Sequence, residues 1–240
     1  MKNTVKGNMK KYLADSAGLA NVLKKTVGLL VLLGCQTAFA GAYDDFFQAV
    51  KRDDARAAQQ LLARGFDANA LDPQGQSGLA TALREESSKV AQVLIDWPKT
   101  DLNAQSAQGE SPLMLASIKG ELALAEKMIK KGADVNKTGW TPLHYAASTG
   151  QVTVIRLLLE NHAYIDAESP NGSTPLMMAS MYGTTAAVKL LLDEGADPLL
   201  KNQQGLNALQ FAERADRPDA VALLANAAKS TRAQRPPGMW

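Results

Sequence analysis

The chain has 240 residues, 46% of them hydrophobic and 21% charged, which is enough to bury a substantial core as one large domain or two small ones. Aromatics at 5% suit small-residue packing better than an aromatic-rich β-sandwich. The formal charge of +2 is uneven: the first forty residues hold six lysines (Lys2, Lys6, Lys10, Lys11, Lys24, Lys25) and one acid, Asp15, and removing them from 26 basic and 24 acidic residues leaves 20 and 23. The body therefore lacks the basic footprint of a nucleic-acid binder.

The first element is an address. Lysines precede the apolar run Val27–Gly34, and the segment ends in Ala38-Phe39-Ala40. A positive n-region, a short apolar stretch and an A-x-A site read as a secretory signal over residues 1–40, cut between Ala40 and Gly41 and leading to the periplasm. The run is far shorter than the roughly 18 residues that cross a bilayer, so no membrane span is expected. Leu32-Leu33-Gly34-Cys35 also resembles a bacterial lipobox, in which Cys35 would carry a lipid anchor. Leu33 is bulkier than the residue usual at its place, and the A-x-A site lies just downstream. Met1 and Met9 are both candidate starts. Cleavage after Ala40 removes the chain's one cysteine, and disulfides and thiol catalysis with it.

From residue 43 the chain repeats. Gly109-Glu110-Ser111-Pro112-Leu113-Met114-Leu115-Ala116 returns as Gly139-Trp140-Thr141-Pro142-Leu143-His144-Tyr145-Ala146 and as Gly172-Ser173-Thr174-Pro175-Leu176-Met177-Met178-Ala179, with weaker copies from Gly75 and Gly205. Six units result, at about 43–74, 75–108, 109–138, 139–171, 172–204 and 205–228, within a domain at 41–229. In each, Asp44, Ser77, Ser111, Thr141, Thr174 or Asn207 supplies an N-cap oxygen. Pro112, Pro142 and Pro175 follow at the first helical position, where a missing N–H costs nothing. A leucine column (Leu79, Leu113, Leu143, Leu176, Leu209, with Phe46 in the first unit) and an alanine column (Ala49, Ala82, Ala116, Ala146, Ala179, Ala212) face the core. Second helices carry apolar pairs such as Leu94-Ile95 and Leu158-Leu159 and end at Gly65, Gly132 and Gly195, as left-handed C-terminal positions require. No such helix pair buries its apolar face alone, so stacking stabilises the array. The basic, proline-containing tail 230–240 is expected to be disordered.

These motifs, T-P-L-H-x-A at a period near 33 residues and Gly132-Ala133-Asp134-Val135-Asn136 between helix pairs, resemble the ankyrin-repeat family over roughly residues 43–228. The resemblance implies an all-α solenoid of about six helix-turn-helix units joined by short β-hairpin loops. It also implies a structural, inter-unit hydrogen-bonding role for His144. Three departures stand out. The hairpin between Gly132 and Gly139 is three residues short, which leaves a notch beside Trp140. Repeat two is the weakest copy, with Gly78 for proline, Glu86 and Lys99 for glycines. His162 stands where glycine is usual.

His144 and His162 are the only histidines, and no zinc-protease helix, phosphate-binding loop or serine elbow occurs, so no enzyme is expected and no cofactor or metal. Ankyrin-like solenoids bind partners through their first helices and hairpin tips. By register that surface includes Leu115, Ile118, Trp140, Tyr145, Met178, Met181 and Tyr182, an apolar and aromatic set suited to anchoring another protein. The expected function is a monomeric periplasmic scaffold, adaptor or chaperone-like support of a partner protein. The alternatives are an immunity protein that neutralises a toxic effector and haem or small-ligand delivery through His144, Tyr145, Met177 and Met178.

Overall fold

The computed structural model describes residues 41–234; the expected signal segment 1–40 with Cys35, and residues 235–240, lie outside the described residues. Among the described residues twelve helices follow one another: α1 (41–51), α2 (Ala55–Ala63), α3 (Gly78–Arg84), α4 (Ser88–Asp96), α5 (Pro112–Lys119), α6 (Leu122–Lys130), α7 (Pro142–Thr149), α8 (Val152–Glu160), α9 (Pro175–Met181), α10 (Thr185–Asp193), α11 (Ala208–Arg214) and α12 (Pro218–Gln234). The chain divides into two compact units at Gln48/Ala49, within α1. In the first unit Tyr43 stacks one turn ahead of Phe47, their ring centroids 5.0 Å apart. Asp44 thus lies inside α1 instead of capping it, because the ring contact extends the helix upstream of the expected start.

In the second unit every first helix from α3 to α11 starts as its cap residue dictates. Ser77, Ser111, Thr141, Thr174 and Asn207 each accept a backbone N–H three residues on. In four of them the partner side chain reaches back to the cap's own N–H. Met114 Sδ accepts at 3.3 Å, His144 Nδ1 at 3.2 Å, Met177 Sδ at 3.4 Å and Gln210 Oε1 at 3.0 Å. Two sulfurs, an imidazole nitrogen and an amide oxygen do one job, since only a lone pair at the right reach is needed.

The first helices α3, α5, α7, α9 and α11 pack in succession as one layer, and α2, α4, α6, α8, α10 and α12 as the other. Leu79, Leu113, Leu143 and Leu176 are fully buried between them, each contributing about 2 kcal/mol of transfer free energy. The alanines at 82, 116, 146, 179 and 212 are also fully buried, and their small side chains allow the close approach. Leu209, in the last repeat, is only half-buried. Gly183 is demanded by this proximity and not by a left-handed turn: a Cβ there would run into the carbonyl oxygen of Ala147, one repeat back.

The loops are reverse turns and not β-hairpins proper. Among the described residues the sole bridge is Leu71 with Ser77, antiparallel. Two N–H to carbonyl bonds close each of four loops: Asp72 to Gln76 (2.8 Å) with Gly75 to Asp72 (2.9 Å), Ser106 to Glu110 (3.0 Å) with Gly109 to Ser106 (2.8 Å), Ser169 to Ser173 (3.0 Å) with Gly172 to Ser169 (2.8 Å), and Asn202 to Leu206 (2.9 Å) with Gly205 to Asn202 (2.9 Å). The shortened loop before Trp140 lacks such a bond, and Lys137 Nζ instead donates across to the carbonyl of Gly109 at 2.8 Å. His162 adopts a φ of 64°, the left-handed backbone that its glycine-like position requires. Helix α12 runs to Gln234, so residues 230–234 of the expected disordered tail are helical; no proline or glycine interrupts the sequence before Pro236.

Candidate functional site

Helices α5, α7 and α9 present one side of the first-helix layer, and the shortened loop delivers Trp140 to its rim. Ile118 from α5, Trp140, then His144, Tyr145 and Ser148 from α7, and Met178 from α9 line a groove of about 210 Å³. Their spacing follows from the repeat: Ile118 and Ser148 hold the same register, as do Tyr145 and Met178, so stacking brings them side by side. Four of the seven residues expected from sequence meet here: Ile118, Trp140, Tyr145 and Met178. Leu115 does not. It is 4% exposed and belongs to the core, because leucine at that register ends beneath its neighbours while the longer Tyr145 and Met178 emerge half-buried. Met181 is half-buried and Tyr182 is 64% exposed, and neither lines the groove.

His144 forms the floor and is chemically committed. Its Nε2 lies 2.9 Å from the carbonyl oxygen of Ser173 in the next repeat, while Nδ1 accepts from the Thr141 N–H and lies 2.8 Å from its hydroxyl. These contacts assign the proton to Nε2. Burial holds the ring's pKa down to about 4, against the hydrogen bonds to the Ser173 and Ala167 backbone, which favour the charged form. The imidazole is therefore neutral near pH 7. Trp140 packs edge-on against it, centroids 5.3 Å apart at 80°.

Tyr145 fixes the opposite wall. Its hydroxyl donates to Glu110 Oε1 at 3.3 Å, and Glu110 is ion-paired with Arg84 of α3. Burial, then the neighbouring Glu110 charge, pushes the phenol up to about 12. The Ser148 hydroxyl donates to the Tyr145 carbonyl at 2.8 Å. Register places Glu110, which stands directly before a cap residue as Trp140 does one repeat on, on this same face; Arg84, from the preceding repeat, has no such signal.

The haem-ligand set does not assemble. Both His144 nitrogens are engaged, and Met177 is 1% exposed with its sulfur accepting the Thr174 N–H. No group of three or more histidine, cysteine, aspartate or glutamate side chains able to hold a metal occurs among the described residues. Nor is any helix among them long and apolar enough to cross a membrane. A second hollow of about 540 Å³, against α2 and α4, is lined by polar residues such as Gln59, Lys89, Gln92 and Asp96 beside Trp97, and gathers none of the expected residues.

Comparison with known proteins agrees with this geometry. The "Ankyrin repeats (3 copies)" family matches residues 46–138, 94–169 and 161–234. Among similar proteins, Neurogenic locus notch homolog protein 1 of Xenopus laevis is 33% identical over 153 residues, covering 62% of this chain and 6% of that protein. Neurogenic locus notch homolog protein 2 of Homo sapiens is 37% identical over 123 residues, covering 50% of this chain and 5% of that protein. The chain thus spans a small fraction of the length of these relatives. Among solved structures, an ankyrin repeat domain from Acinetobacter baumannii superposes with a TM-score of 0.67 at 28% identity, covering 76% of this chain and 96% of that one. A further ankyrin repeat protein gives 0.67 at 26% identity, covering 75% and 96%. With the repeat pattern, the two helix layers and the family match all running through the described residues, the chain belongs to the ankyrin-repeat family.

Proposed function

We propose that this protein is a periplasmic interaction module, a scaffold, adaptor or chaperone-like support that holds one partner protein against its first-helix layer. Ankyrin repeats generally mediate protein–protein interaction. The observation that carries the reading here is the apolar and aromatic groove of Ile118, Trp140, Tyr145 and Met178. Its polar groups are occupied holding the fold together: both His144 nitrogens, the Tyr145 hydroxyl and the Ser148 hydroxyl have partners. Among the described residues no nucleophile and base converge in the groove, which supports a binding role over a catalytic one. The lysine-rich start, the Val27–Gly34 run and Ala38-Phe39-Ala40 support export to the periplasm, and Cys35 is the place where a lipid anchor would sit instead.

The test is comparative capture from a periplasmic extract. Wild-type protein and a variant carrying Trp140→Ala, Tyr145→Ala and Tyr182→Ala are used as bait, each checked by circular dichroism. A partner retained by the wild type is expected to be lost from the variant while helicity is kept. Equal retention by both proteins places the docking surface elsewhere.

A further inference from the structure

We propose that the groove between α5, α7 and α9 receives one large uncharged side chain, leucine, methionine or phenylalanine, from the partner protein, whose backbone carbonyl accepts a hydrogen bond from Trp140 Nε1–H. This deepens the interaction reading above and rests on it.

Size is the first reason. At about 210 Å³ the groove lies below the roughly 300–1,000 Å³ of sites that enclose cofactors and drug-sized ligands, and it is too small to hold an entire helix face. One large side chain fits that space.

Charge complementarity is the second reason. The groove lining holds no net charge: His144 is neutral, and the Tyr145 phenol keeps its proton. The nearest carboxylate, Glu110, is already bound by Arg84 and by the Tyr145 hydroxyl, with its side chain 18% exposed. An incoming arginine or lysine would have to displace Arg84 to gain a counter-charge. An incoming acid would meet Glu110. Either charged group would lose hydration without return, whereas an apolar group gains from leaving water.

Hydrogen-bond accounting is the third reason. The lining's histidine, tyrosine and serine groups are all satisfied within the protein. The Trp140 indole N–H, at the rim beside the shortened loop, forms no hydrogen bond among the described residues. A single outward donor beside an apolar hollow suits a backbone carbonyl flanking the inserted side chain. Met178, unbranched and polarizable, adapts the wall to a leucine or a ring.

The experiment titrates N-acetyl amides of phenylalanine, leucine, arginine and glutamate into the intact protein. It follows the Trp140 indole N–H and Met178 methyl resonances by NMR, with Trp140→Phe and Met178→Leu to assign them. The phenylalanine and leucine amides are expected to shift both signals saturably, about tenfold or more tightly than the charged amides, and with flat affinity between about pH 5 and 9. Met178→Glu is expected to weaken the apolar amides by about tenfold or more, and Trp140→Phe to weaken them a few-fold by removing the donor while keeping the ring. Should Met178→Glu fail to fold, Trp140→Phe carries the comparison alone. Saturation by the arginine or glutamate amide at equal or lower concentration would overturn the proposed chemistry. Silence of both resonances for all four amides would overturn the pocket itself. Neither result touches the capture experiment, where loss of the partner from the triple variant stands or falls separately.

Discussion

His144 shows how one side chain serves fold and site at once. It caps α7, bonds to Ser173 in the next repeat and floors the groove. Its pKa of about 4, against an ordinary 6.5, means that the unfolded chain takes up a proton first as the pH drops. Stability is therefore full above about 6.5 and is lost as pH falls through about 4, by about 3 kcal/mol for a shift of this size. Gln210 fills the equivalent slot of the last repeat and caps through an amide oxygen that does not titrate there. His144→Gln is thus expected to cost about 1 kcal/mol at pH 7 through the lost Ser173 bond, yet to flatten the pH dependence. Urea midpoints of both proteins at pH 7 and pH 4 give the answer; the same drop in both would show that another group carries the acid sensitivity. The structural role of His144 was legible from its T-P-L-H slot. Its neutrality was not, because that follows from burial by a neighbouring repeat.

Between elements, the loops are tied by a ladder that runs forward through the repeats. Asn69 accepts the Asp101 N–H and donates to the Lys99 carbonyl; Asn103 does the same with Asp134 and Gly132, and Asn136 with Tyr164 and His162. In the next repeat Asp166 takes the position. It accepts the Asp197 N–H at 3.1 Å and makes no bond to the carbonyl of Gly195, the counterpart acceptor. Burial raises the Asp166 carboxyl above its ordinary value, so its folded form favours the proton and stability falls as pH rises through its folded pKa. Asp166→Asn restores the donor and is expected to stabilise the protein by about 1 kcal/mol at pH 7, raising the thermal midpoint by a few degrees. An unchanged or lowered midpoint would refute the account. The asparagine of the Gly-Ala-Asp-Val-Asn motif was visible in sequence, but its two partners were not, since they belong to the following unit.

For the whole molecule, the repeat register was readable because leucine, alanine and cap columns recur independently, and the helices from α3 onward start where those columns put them. What misled was local. Tyr43 on Phe47 overrode the cap at Asp44, and Leu115 sank where Tyr145 and Met178 emerge. The groove was half legible: register gave the wall residues, while the Arg84–Glu110–Tyr145 chain needed three repeats in place. The proposed export is tested at the scale of the full chain. Cleavage after Ala40 removes six lysines, and the mature protein in the periplasmic fraction is expected to begin at Gly41, by intact mass. A mature chain beginning with an acylated Cys35 would assign it to a membrane anchor instead.

The asparagine ladder also gives the array a direction. Each rung is supplied from behind and received ahead, so the two ends of a shortened protein are not equivalent. Trimming repeats from the C-terminal side leaves the last remaining asparagine with neither of its backbone contacts. Trimming from the N-terminal side strands the matching N–H and carbonyl of the next loop. The two cuts therefore free different groups, a side-chain amide at one end and main-chain groups at the other.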